Sequence, residues 1–367
     1  MDIVRPTLVL DKEVCLRNIK RMADKAKAKN LFFRPHFKTH QSAEIGEWFR
    51  DVGVTAITVS SIHMANYFAQ HGWKDITIAL PVNPLEINDI NSLANKINLN
   101  LLVENRDTMI QLDKFIKSPV GIFIEIDTGY NRTGIMASKT NQIDAILKIC
   151  SQNPNLQFKG FLTHAGHTYK TKTKHEIFNI HFDALLKMRG LKSRYRKDWP
   201  DLIVSLGDTP SASICENFDG VDELRPGNFV FYDLMQHKLG SCSFEDIAIR
   251  LVCPVIAKHG SRNEVTIYGG AIHISKDSIV NIDGKNLYGK IVVREGKEKI
   301  LLDEKNYLCD MSQEHGILKI TFRDFHRFNV GDLVEIIPVH SCLTVNLMGN
   351  YHTSEGEQLS TIRKADF

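Results

Sequence analysis

Lys38 has the neighbourhood in this sequence that most suggests covalent chemistry. It stands in Arg34-Pro35-His36-Phe37-Lys38-Thr39-His40, between two histidines and four residues after an arginine. Positive neighbours disfavour a further charge, so this amine is expected to have a lowered pKa. A lysine held partly neutral can condense with an aldehyde cofactor. Gly207, Thr209, Ser211, Gly227 and Asn228 are residue types that hold phosphate through backbone N–H groups and hydroxyls. One such lysine with one phosphate cradle points to pyridoxal phosphate.

A second chemistry is written in His340-Ser341-Cys342. On a strand, residues i and i+2 share a face, so both side chains would reach one ion. Two protein ligands leave positions open for water and substrate. Imidazole with thiolate favours zinc, with manganese or cobalt still open. His167 and Tyr169 fall together in one loop stretch. His167 reads as a hydrogen-bonded loop histidine, or else as a general base or a metal neighbour, and Tyr169 either as rim packing or as a cofactor contact. His36 and His40 read as groups that shape the surroundings of Lys38. Asp127 reads as the organiser of its own loop.

These segments lie far apart in the chain, so a scaffold must bring them to one rim. Apolar runs at Leu31–Phe37, Thr55–Ser60, Asp75–Leu80, Leu99–Glu104, Val120–Asp127, Gln157–His164 and Leu202–Gly207, with a weaker one at Val221–Leu224, alternate with helical spacing such as Ser42–Val52 and Gln142–Gln152. That rhythm predicts an α/β fold, a (β/α)8 TIM-type barrel whose chemistry sits at the carboxyl ends of its strands. The first, fifth, sixth, seventh and eighth runs end in the polar clusters that hold Lys38, Arg132, His167, Thr209 and Arg225. No GxGxxG follows the first run, which argues against a dinucleotide site. Beyond about residue 240, Ile247–Ile256, Glu264–Tyr268, Lys299–Leu302, Ile317–Thr321 and Asp332–Pro338 are strand-like, separated by turn residues, with no long helix expected. The expected organisation is a barrel over 11–237 and an all-β domain over 238–367, with residues 1–10 added to the latter through the strand-like Thr7–Leu10.

Composition narrows the class of function. Hydrophobic residues at 43% and charged residues at 24% give an ordinary globular chain with a large core. A net charge of only +3 predicts no nucleic-acid partner, and no apolar run approaches the length of a membrane span. Seven scattered cysteines without a CxxC pair, and no export pattern at the start, read as reduced thiols in a cytoplasmic protein.

The Arg34–His40 stretch resembles the RPHxKTH stretch of the D-threonine aldolase and D-serine dehydratase family, pyridoxal-phosphate enzymes of the alanine racemase fold (fold type III), in which the lysine carries the cofactor. Asp127–Gly134 is similar to the DTGxxRxG motif of alanine racemases, Arg225-Pro226-Gly227 to their RPG motif, and His340-Ser341-Cys342 to the family's metal-binding His-x-Cys. The resemblance implies a barrel with an added β domain, paired into a homodimer. It implies Lys38 as the cofactor lysine and Arg132 near the phenolic oxygen or the substrate carboxylate. Arg225 would face the pyridine nitrogen, and Thr209, Gly227 and Asn228 would hold phosphate. The activity implied is a lyase acting on D-3-hydroxy amino acids with a divalent metal, either a dehydratase or an aldolase. The thiolate of Cys342 tips the expectation toward dehydration. A metal-independent amino-acid racemase and a non-catalytic pyridoxal-phosphate carrier are the rival expectations.

Overall fold

The computed structural model describes residues 3–295 and 298–362. Eight parallel strands form a barrel: Phe32–Phe33, Ile57–Val59, Asp75–Pro81, Asn98–Val103, Val120–Asp127, Leu156–Thr163, Ile203–Leu206 and Glu223–Leu224. Each falls within or beside one of the eight apolar runs. Ile, Val, Leu and Phe make up most of their residues because the outer face packs on helices, while polar residues such as Asn100, Glu125, Ser205 and Glu223 turn into the barrel. The first strand is regular only over two residues, since Pro35 has no N–H for a ladder. The ring nonetheless closes there: the Phe37 N–H donates to Thr58 O at 2.8 Å and the Thr58 N–H to Pro35 O at 2.9 Å. Several of the connecting helices start at a side-chain cap, as Ser42, Ser61, Asn105, Thr173 and Asp208 do. These caps satisfy first-turn N–H groups and fix where each loop ends.

A largely antiparallel sheet of ten strands follows the barrel in sequence. Thr7–Leu10 joins it, antiparallel to Ile249–Val252 and parallel to His352–Thr353. The strand Leu333–Pro338 runs between Ile249–His259 and Gly289–Glu295 and delivers the chain to the barrel mouth. Gly289–Glu295 and, beyond it, Tyr307–Met311 are strands that the sequence pattern did not single out.

One apolar core lies between the barrel strands and their helix layer and continues into Ile337, Val339, Val345 and Tyr351 of the second domain, while Leu102, Phe123 and Leu162 form a small separate cluster. Tyr351 packs on Phe231 and donates its hydroxyl to His40 O at 2.6 Å. The segment carrying Lys38 is therefore fastened to the β sheet as well as to the barrel. The described residues contain no helix long and apolar enough to cross a membrane.

Candidate active site

A cavity of about 560 Å³ opens where the carboxyl ends of the barrel strands meet the second sheet. Lys38, Arg132, Tyr169, Arg225, Gly227, Asn228, His340 and Cys342 all line it. The loop Asp127–Gly134 reaches the cavity through a tight return. Gly134 has φ +100°, and a Cβ there would come within 2.8 Å of the Asp127 N, so only glycine fits. Asp127 does organise this loop, accepting the Gly129 and Asn131 N–H groups at 2.9 and 3.1 Å.

Lys38 is reached by solvent through the cavity mouth but is otherwise surrounded by protein. Burial lowers its amine pKa, Arg132 and Arg225 push in the same direction, and Cys342 opposes them. The physical cause therefore differs from the one the motif suggested. Arg34 does not act on Lys38. It is turned into the barrel, where Nε donates to Glu223 at 2.6 Å and the other end of the guanidinium pairs with Asp75. His36 lines the cavity, and burial followed by the Lys38 charge holds its pKa far below the ordinary value. His40 is fully buried and held neutral, lowered by burial to about 3.

Arg225 forms the back of the cavity at 3% exposure. Its Nε donates to Ser205 Oγ and its Nη2 to Thr163 O at 2.8 Å. Burial lowers its pKa to about 10, against the pull of Glu223 and Glu125, so it stays cationic at neutral pH. Ser205 in turn donates to Glu223 Oε1 at 2.5 Å. Asp75, Arg34, Glu223, Ser205 and Arg225 thus form one chain of alternating charge through the barrel interior, a satisfied network of the kind that rigidifies a core.

His340 and Cys342 meet, but not on a strand. Leu333–Pro338 ends before them; His340 is the N-cap of the helix Ser341–Met348, and Cys342 lies in its first turn. The expectation of a shared strand face is corrected accordingly: the two side chains converge because a helix start turns both toward the barrel. His340 Nδ1 bonds Asp277 Oδ2 at 2.6 Å. Burial alone would lower the pKa of His340, but Asp277 and Cys342 raise it to about 11. Burial alone would raise that of Cys342, but its bond with His340, together with Lys38 and Thr39, lowers it. Thr39 Oγ1 lies 3.3 Å and Asn228 Nδ2 3.7 Å from Cys342 Sγ. Among the described residues no three His, Cys, Asp or Glu side chains converge as a closed metal cage.

The remaining sequence candidates are placed less directly. Thr209 is fully buried beneath the rim, and its N–H donates to Tyr169 Oη at 3.2 Å. The Asn228 amide is engaged with Asp233 at 2.6 Å and Ser341 at 3.0 Å, tying barrel to sheet. His167 does not reach the cavity lining; its ring stacks on Tyr130 at 6.1 Å. His164 lines the cavity where His167 does not, with Nδ1 donating to Gly207 O and its pKa lowered by burial to about 3, which leaves a neutral ring with Nε2 as acceptor.

Sequence reasoning missed Glu125, Tyr130 and Asp277 as cavity residues. A lone carboxylate inside the apolar run Val120–Asp127 was a usable signal for Glu125. Asp277 had none, because its partner lies 63 residues away.

Residues 10–234 match the family model described as "Alanine racemase, N-terminal domain", and residues 248–354 match "Putative serine dehydratase domain". The chain is 30% identical to the D-serine dehydratase of Dictyostelium discoideum, over 94% of this chain and 91% of that protein. It is 28% identical to the D-threo-3-hydroxyaspartate dehydratase of Delftia sp. (strain HT23), over 92% and 91%. The solved structure of that dehydratase superposes with a TM-score of 0.90 at 26% identity, covering 99% of this chain and 98% of the other. D-threonine aldolase from Filomicrobium marinum shares the fold at a TM-score of 0.82 and 19% identity, covering 98% of both chains. This chain belongs to the family of alanine-racemase-fold, pyridoxal-phosphate-dependent lyases that includes the D-serine dehydratases and D-threonine aldolases.

Proposed function

We propose that this enzyme dehydrates D-3-hydroxy amino acids, with pyridoxal phosphate on Lys38 and a divalent metal held by His340 and Cys342. The observation that carries the reading is the meeting of a depressed-pKa lysine from the barrel with a His–Cys pair from a helix start of the second domain in one cavity.

The residues fit the cofactor. The amine is held ready for an aldehyde, and the fully buried Arg225 faces the same space. The Thr209 and Ser211 hydroxyls are shut off from solvent beside Tyr169 and Asp208, donor groups of the kind a phosphate would engage. Pyridoxal phosphate supplies an aldehyde carbon for an amine and a conjugated ring that delocalises negative charge from the substrate α-carbon. Lys38, whose amine burial makes easier to deprotonate, would hold or take the α-proton. Arg225, fixed by Ser205 and Thr163, would offer a positive charge to the cofactor ring, and Arg132 would bind its phenolic oxygen or the substrate carboxylate. Tyr169, Thr209, Gly227 and Asn228 form the phosphate side. His167 supports Tyr130 from behind and does not act as the base.

The donor set also fits a metal. Imidazole and thiolate suit zinc first and manganese second, and Asp277 on Nδ1 fixes the ring of His340 as ligating histidines require. Such an ion would supply Lewis acidity toward a substrate hydroxyl. Solved structures of the Delftia enzyme include a cysteine-to-alanine variant in the metal-free form and a histidine-to-alanine variant, which supports the same assignment. Dehydration is preferred to aldol cleavage because the two curated dehydratases above cover over nine-tenths of this chain. The D-threonine aldolase of Arthrobacter sp is 24% identical over 62% of it. Seven free thiols support a reducing, cytoplasmic setting, and the family resemblance supports a homodimer.

The deciding assay supplies D-serine and D-threonine with pyridoxal phosphate and zinc or manganese. The expected products are 2-oxo acid and ammonia, with borohydride fixing the cofactor on Lys38. Glycine and aldehyde alone would move the enzyme to the aldolase branch. Racemisation persisting in chelator-treated protein would overturn the metal reading.

A further inference from the structure

We infer that Glu125 is a positioning residue for Arg132, setting where that guanidinium stands over the cavity. Glu125 projects from the fifth barrel strand into the cavity at 4% exposure. One of its oxygens is engaged: Thr133 Oγ1 donates to Oε1 at 2.9 Å. The other, Oε2, is buried in a cavity wall and has no partner among the described residues. An unsatisfied buried carboxyl oxygen costs on the order of 1–3 kcal/mol, so its retention calls for a partner in the working enzyme.

Two independent features make Arg132 that partner. Thr133 is the residue next to Arg132, so the bond to Oε1 ties down the stretch of loop that carries the arginine. A Cβ added at Gly134 would stand 3.2 Å from Glu125 Cγ, so the chain passes directly over the carboxyl group. Electrostatically, burial raises the Glu125 pKa and Glu104 adds to this, while Thr133, Arg132 and Arg225 lower it. Arg225 is already held by Ser205 and Thr163, whereas Arg132 lies over the Tyr130 ring at 5.1 Å in no ion pair within 4 Å among the described residues. Glu125 supplies the counter-charge and acceptor that draw Arg132 from the tyrosine face to the filled site. The inference rests on the cofactor assignment of the cavity.

A double-mutant cycle on pyridoxal-phosphate dissociation constants tests it, using Glu125→Gln, Arg132→Gln and the pair. Thermal midpoints of the cofactor-free proteins control for folding. Cofactor bound on Lys38 of the unmutated protein establishes the underlying reading separately. Glu125→Gln keeps an acceptor for Thr133 but loses the charge, so it should weaken binding about tenfold, a loss of about 1.4 kcal/mol. It should also shift the cofactor absorbance band. In the Arg132→Gln background the same change should do little. Equal losses in both backgrounds, or no loss in either, would overturn the inference even with cofactor normally bound by the parent. Glu125→Asp, which restores the charge, should recover part of the affinity and the band position.

Discussion

Glu223→Gln asks whether the buried charge chain, rather than local strand propensity, holds the first and eighth barrel strands in place. Glu223 is 1% exposed. It receives Arg34 Nε at 2.6 Å and Ser205 Oγ at 2.5 Å, and lies 3.9 Å from Arg225 Nε. Glutamine has nearly the same size but only one acceptor oxygen, so its NH2 must face either the Arg34 guanidinium or the Ser205 hydroxyl. Breaking a buried pair in this way typically costs about 3–5 kcal/mol, because a charge is left uncompensated. Unfolding entropy of about 2.1 cal/mol/K per residue gives about 0.8 kcal/mol/K for this chain. The thermal midpoint should therefore fall by about 4–6 °C in scanning calorimetry. Glu216→Gln removes an equally charged group, but one that pairs with Lys25 and Lys29 from a 72% exposed side chain; it should move the midpoint by about 1 °C or less. Because Arg225 loses its nearest carboxylate, the cofactor band should shift as well. A Glu223→Gln midpoint within 1 °C of the parent would refute the argument.

Gly227→Ala places a Cβ 2.8 Å from His36 O and 3.1 Å from Thr39 Oγ1; forcing these strand ends apart should weaken pyridoxal-phosphate binding at least tenfold by fluorescence titration, whereas Gly190→Ala, with open space around it on a helix, should leave binding unchanged and raise stability by about 1 kcal/mol. Asp277→Ala should lower metal affinity 10–100-fold by metal titration while leaving the Lys38 adduct intact; undiminished affinity would remove Asp277 from the site. His40 and His164 are held neutral with pKa values lowered to about 3 by burial. In the unfolded chain they return to about 6.5 and bind protons there first, so stability should fall as the pH drops from about 6.5 toward 3, by up to about 1.4 kcal/mol per unit for each group. Urea midpoints at pH 7 and pH 5 measure this, and His40→Asn should reduce the slope; an equal slope would contradict the assignment.

The eight barrel strands were legible because parallel strands covered on both faces write long apolar runs into the chain. Lys38 was legible because its motif is contiguous. Its electrostatics were not: Arg34, four residues away, points into the barrel, while Arg132 and Arg225, far off in sequence, act on the amine. His340 and Cys342 were correctly paired with the cavity and wrongly placed on a strand. The strand-like run ends at Pro338, which removes a ladder donor, and Gly349, at φ +73°, ends the helix that follows. That glycine was the available signal. Asp277 and the buried network below Arg225 depend on pairings across many strands, which a linear pattern does not encode.

The arrangement has a consequence for how the chemistry is specified. The lysine belongs to the barrel and the His–Cys pair to a helix start of the second domain, so neither domain builds the cavity alone. Their relative placement is fixed by a few contacts at the cavity edge: Thr39 and Asn228 against Cys342, Asn228 on Ser341, Ser341 on Asp233, and Tyr351 on His40. Most of these residues are buried and joined by hydrogen bonds, which are directional, so they fix register as well as distance. Asn228 is the hub, since one amide reaches Asp233, Ser341 and Cys342. Its place in the fold therefore explains it better as the joint that brings His340 and Cys342 to Lys38 than as a side-chain contact to a bound group.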